Sequence, residues 1–116
     1  MPVFDSKDID TVNPLPGFEL KVLVDKNCGS KSIMMINETL HPGARIPNHR
    51  HNAEGAIYVL SGTGYLTIED ENKYKIGPGM ALLVASDAFY FLENDGTEDL
   101  NFITIHPSTE ITKEEK

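Results

Sequence analysis

Two histidines separated by a single residue, His49 and His51, are the residues of this 116-residue chain best suited to chemistry. Pro47 disfavours helix just ahead of them, and on an extended chain side chains at i and i+2 leave the same face. One metal ion or one small ligand can then touch both rings. Two neutral imidazoles alone hold a divalent ion poorly, because protein sites supply three or more donors. An isolated His-x-His is also compatible with a polar loop, so the pair acquires meaning only from the elements that carry it.

Those elements read as strands. Leu20, Val22 and Val24 alternate with charged residues up to the turn Lys26 to Ser30, and Ser32 to Leu40 is apolar on both faces. Short runs follow at Ala56 to Leu60, Tyr65 to Glu69, Lys73 to Ile76, Ala81 to Ala85, Phe89 to Glu93 and Leu100 to His106. Turn residues such as Gly62-Thr63-Gly64, Gly77-Pro78-Gly79 and Asn94-Asp95-Gly96 punctuate them. The pattern predicts an all-β sandwich or barrel and excludes a Rossmann fold or a helical bundle. The length fits one domain over residues 1–116, with residues 1–16 as an N-terminal arm and 107–116 as a C-terminal tail.

A formal charge of −8 repels nucleic acid, and no apolar run is long enough to span a bilayer as a helix. The N-terminus does not read as a signal peptide, and a cytoplasmic location is the expectation. Cys28 is the single cysteine, so no internal disulfide forms, and beside Gly29 it reads as an incidental thiol.

The segment from Gly43 through His49 and His51 to Gly62 resembles the first cupin motif, and Gly79 to Asn94 resembles the second. The resemblance implies a cupin double-stranded β-helix, or jelly-roll barrel. It also implies a four-ligand site for iron, manganese, nickel or zinc. Counting back from Gly62 places the family's glutamate ligand at Gly55, with Glu54 one residue early. The histidine of the second motif falls on Tyr90. Two candidates for the missing donors follow: Tyr90 as a phenolate, and Glu54 brought into register by a β-bulge at Gly55. Tyr90 equally fits an aromatic core position. His106 is either a further inward donor or a cap at the strand end; His41 reads as a turn residue, and Arg50 faces away from the histidines.

The metal candidates are thus His49, His51, Tyr90 and Glu54, and the catalytic candidates His49, His51 and Tyr90. Three functions fit: a metal-dependent enzyme (lyase, isomerase or dioxygenase) acting on a small oxygen-rich substrate, a metal-free acid–base enzyme using histidine and Tyr90, and a small-molecule-binding module without catalysis. The pocket is expected to be apolar, lined by Met34 or Met35, Ile57, Val59, Tyr90 and Leu92 around the histidines. The resemblance further implies a homodimer, with Phe18 to Val24 as its expected interface.

Overall fold

The computed structural model describes residues 1–116. Eleven strands run in the order β1 (Val12–Leu15), β2 (Phe18–Val24), β3 (Met34–Leu40), β4 (Arg45–His51), β5 (Gly55–Ser61), β6 (Gly64–Ile68), β7 (Asn72–Ile76), β8 (Ala81–Val84), β9 (Tyr90–Glu93), β10 (Leu100–His106) and β11 (Lys113–Glu115). They form two antiparallel sheets, a six-stranded one ordered β1-β2-β3-β10-β5-β8 and a five-stranded one ordered β11-β4-β9-β6-β7. The expected strands are present within a residue or two at most ends.

Both terminal segments join the sheets. Within the expected N-terminal arm, Val12–Leu15 pairs with β2. Within the expected tail, Lys113–Glu115 pairs with β4, placing Lys113 opposite His51 and Glu115 opposite His49. No helix is long and apolar enough to cross a membrane.

The period-two pattern becomes an inside and an outside. Along β5, Gly55, Ile57 and Val59 are buried while Ala56, Tyr58 and Leu60 are exposed; along β10, Leu100, Phe102, Thr104 and His106 are buried. Leu40, Val59, Leu66, Leu92, Leu100 and Phe102 lose nearly all contact with water and form the centre of the core. Each contributes on the order of 1.5–3 kcal/mol of apolar burial.

The turn glycines and Asn94 hold the sheets to this geometry. Gly62 has φ +79°, and a Cβ there would lie 2.0 Å from the Asp99 carbonyl oxygen, so no side chain fits. The Asn94 amide, fully buried, donates to the carbonyls of Leu40 (2.8 Å) and Glu98 (2.7 Å), and its oxygen accepts from the Gly96 amide (3.0 Å). It ties the end of β3 to the β9–β10 turn.

Candidate functional site

Between the sheets lies a cavity of about 300 Å³. Its apolar wall includes Phe18, Ile36, Ile46, Ile57, Leu92 and Phe102, and its polar lining includes Glu38, His49, His51, Tyr90, Thr104, His106 and Lys113. Ile57, Tyr90 and Leu92 stand where expected. Val59 instead packs in the core, and the β3 side chains that reach the cavity are Ile36 and Glu38, not Met34 or Met35. Phase excludes Met35: Leu40 is buried at the end of β3, so Glu38, Ile36 and Met34 share its inward face, and Met34, opposite His106 at the far end of the strand, lies outside the cavity lining.

His49 and His51 do converge, with ring centroids 5.0 Å apart. Each ring is pinned through Nδ1. His49 Nδ1 lies 2.7 Å from the Pro47 carbonyl oxygen, and His51 Nδ1 lies 3.0 Å from that of Thr112. A carbonyl only accepts, so Nδ1 carries the hydrogen in both rings and Nε2 keeps a free lone pair. Burial holds both imidazoles below their ordinary basicity, His51 down to about 4, so both are neutral at pH 7. Arg50, between them, faces the other side of β4, where it binds Glu114 at 2.8 Å.

His106 supplies a third ring. It is buried, its centroid lies 5.0 Å from that of His51, burial lowers its pKa, and its Nδ1 is buried without a hydrogen-bond partner. It also accounts for Gly55. A Cβ at Gly55 would meet His106 Cε1 at 3.0 Å and Nδ1 at 3.1 Å, so the imidazole fills the space beside that backbone. The expected bulge is absent: Gly55 pairs with Val84 in an unbroken β5–β8 register, and Glu54 stays outside, exposed. Glu54 therefore does not join the cavity.

Tyr90 is buried, with its ring 4.4 Å from that of His49. Burial, reinforced by the nearby Glu38 carboxylate, pushes its phenol well above the ordinary value. Tyr90 is thus a neutral phenol at pH 7. His41 lies apart in the turn after β3, between Asp99 (2.7 Å) and Glu19 (3.1 Å).

Glu38 is the cavity residue that sequence reasoning passed over. Thr104 Oγ1 donates to its carboxylate, yet burial outweighs that bond and raises its pKa from 4.5 to about 7. The available signal was a lone acid two residues before Leu40, on the inward phase of an otherwise apolar strand.

A cupin-domain family model matches residues 37–106, which is more than half of the chain. The chain belongs to the cupin family. Auxin-binding protein T85 of Nicotiana tabacum is 36% identical over 69 residues, covering 58% of this cupin and 37% of that protein. This cupin thus spans little more than a third of the length of that relative. Among solved structures, the polyketide cyclase RemF from Streptomyces resistomycificus superposes with a TM-score of 0.87 at 21% identity, covering 99% of this chain and 84% of that one. Oxalate decarboxylase of Bacillus subtilis, described with Mn(II) centres, gives 0.83 at 21% identity over 95% of this cupin and 30% of that chain. Enzymes thus share the fold, which by itself does not assign a reaction.

For a divalent ion, the donors of this cupin fit in chemistry and fall short in convergence. Neutral imidazoles with Nδ1 tied to carbonyls and Nε2 free are the form that ligates metals. No three His, Cys, Asp or Glu side chains, however, are gathered closely enough to hold an ion together.

Proposed function

We propose that the cavity is an enzyme active site that transfers a proton on a small hydroxy or carbonyl compound, with Glu38 as the acid–base group. The observation that carries this reading is the Glu38 carboxyl group, held by Thr104 Oγ1 in the same cavity as His49, His51 and Tyr90, where desolvation raises its pKa to about 7. A base works best when its pKa lies near the ambient pH, and burial has moved Glu38 there. Tyr90, kept protonated, donates to a substrate carbonyl oxygen. The free Nε2 atoms of His49 and His51 accept from a substrate hydroxyl. Apolar walls exclude water around the reacting atoms.

The experiment is hydrogen–deuterium exchange at the carbon next to the carbonyl, across a panel of small keto and hydroxy compounds, with Glu38→Gln as the comparison. The reading requires catalysed exchange that depends on a group of pKa near 7 and falls 10²–10⁴-fold, as an order of magnitude, in Glu38→Gln. Full retention by that variant refutes it.

A second, metal-assisted reading is favoured by the tautomers of His49 and His51. These two and His106, after rotation of its ring, would hold the ion, which would polarise a substrate oxygen as a Lewis acid. Iron, manganese, nickel and zinc are the ions this reading considers. Elemental analysis of protein purified without chelator separates the readings: stoichiometric metal that is lost in His49→Ala and His51→Ala supports it, and metal unchanged by those substitutions removes it.

A homodimer completes the proposal. Tyr58, Leu60, Leu83 and Ile105 are exposed on the outer side of β5, β8 and β10, whereas β2, the expected interface strand, is paired along both edges. A second copy on that outer face would bury them, and Leu83→Glu then gives a monomer in sedimentation. With its lone cysteine and acidic surface, the protein suits the cytoplasm, with a small molecule as its partner and neither nucleic acid nor membrane.

A further inference from the structure

The cavity has one cationic side chain, and it comes from the last strand. Glu38 and Lys113 are the only Asp, Glu, Lys or Arg residues in its lining. In the β4–β11 ladder Lys113 stands directly opposite His51, and opposed residues of an antiparallel pair project to the same side. Lys113 therefore shares the face of the histidine pair, while Glu114, opposite Arg50, points outward and binds it. The ammonium is near enough to favour the Glu38 carboxylate and to oppose protonation of His49 and His51. Its ion-pair partner in the structure is Glu115, at a loose 3.7 Å and exposed, which leaves Lys113 free to exchange that partner for another carboxylate.

We propose that Lys113 is a specificity-determining residue that binds the anionic group of a small carboxylate ligand at the cavity mouth, with the ligand's apolar body lying against Phe18, Ile36, Ile57 and Phe102. This deepens the active-site reading above and rests on it. The surface as a whole carries −8 and repels anions, so a local cation beside the opening is what admits one. The cavity volume, about 300 Å³, is at the small end of ligand sites and suits an acid built on a single ring. Glu115 competes for the same ammonium, so the pair sets an affinity that either residue can shift.

The test is titration of the full chain with benzoate and with its neutral isostere benzamide, followed through the imidazole resonances of His49 and His51 and the ring resonances of Tyr90. Benzoate is expected to bind about tenfold or more tightly than benzamide. Lys113→Met abolishes that preference without changing benzamide binding, Lys113→Arg keeps it, and Glu115→Gln strengthens benzoate binding about two- to threefold. A merely structural role for Lys113 would instead weaken both compounds together. Equal affinities in the wild type, or a preference that survives Lys113→Met, overturn the assignment of Lys113 and leave the cavity reading standing. Failure of both compounds to perturb any of these resonances counts against the cavity as well as Lys113.

Discussion

Replacing Glu38 by glutamine should make the protein more stable in neutral solution while removing its proposed chemistry. Between pH 4.5 and about 7 the unfolded chain releases the Glu38 proton and the folded chain keeps it, so folding stability falls across that window and is level above it. The linkage amounts to about 3 kcal/mol. His51 acts in the opposite sense. Held at about 4 in the fold, it has lost a proton that the unfolded chain retains up to about 6.5, so stability rises over pH 4 to 6.5, by less than the Glu38 linkage because the ring is only half-buried and solvent screens it. In the wild type the two slopes oppose each other. Glutamine keeps the shape and can still accept from Thr104, but it does not titrate, so the variant exposes the histidine slope alone. Urea denaturation of chelator-treated protein at pH 4.5 and pH 8 measures the effect. The advantage of Glu38→Gln over wild type should be larger at pH 8 than at pH 4.5 by about 3 kcal/mol. Stability curves that run parallel between those pH values would refute the claim that the cavity raises the Glu38 pKa.

Other expectations follow from single contacts. Gly55→Ala places a methyl group 3.0 Å from the His106 ring, so the His106 imidazole resonances shift and stability falls by about 1 kcal/mol, read by NMR and by denaturation. Asn94→Ala removes the amide that holds the Leu40 and Glu98 carbonyls, and should cost about 2–4 kcal/mol in urea denaturation while the strands still form. Deleting residues 112–116 opens the site to water and removes Lys113, which together outweigh the loss of the Thr112 carbonyl that favours the charged ring; the His51 pKa should then rise from about 4 toward 6.5 in an NMR titration, with His106 shifting less. A His51 pKa that stays near 4 would show that β11 does not control this ring.

The barrel was legible because its signals are local. Alternation along β5 and β10 and the turn glycines each specify backbone conformation from neighbouring residues, and the resemblance to the two cupin motifs implied the jelly-roll barrel. The site was legible where spacing sufficed, as with His49 and His51 on one face of β4 and Tyr90 opposite His49 in β9. It was less legible where residues distant in sequence meet. Glu38 reaches the cavity because β3 pairs with β10 in the phase that brings it to Thr104, a register set by long-range pairing. His106 was weighed but could not be placed, because its direction depends on the space left at Gly55, fifty-one positions earlier. The pairing of the terminal segments is hard to read for a related reason: Lys113 to Glu115 has little strand character of its own and becomes a strand through the open edge that β4 offers.

The contact between Gly55 and His106 also constrains the paths by which such a pocket changes. With the imidazole 3.0 Å from where a Cβ would begin, a carboxylate side chain does not fit at position 55 while His106 keeps its place. Gly55→Glu alone should be disruptive, and His106→Ala alone should leave a hole; made together, they should be tolerated better than the sum of the two. The two positions therefore behave as one heritable choice, and the order in which substitutions arrive matters: the ring must leave before the acid can enter.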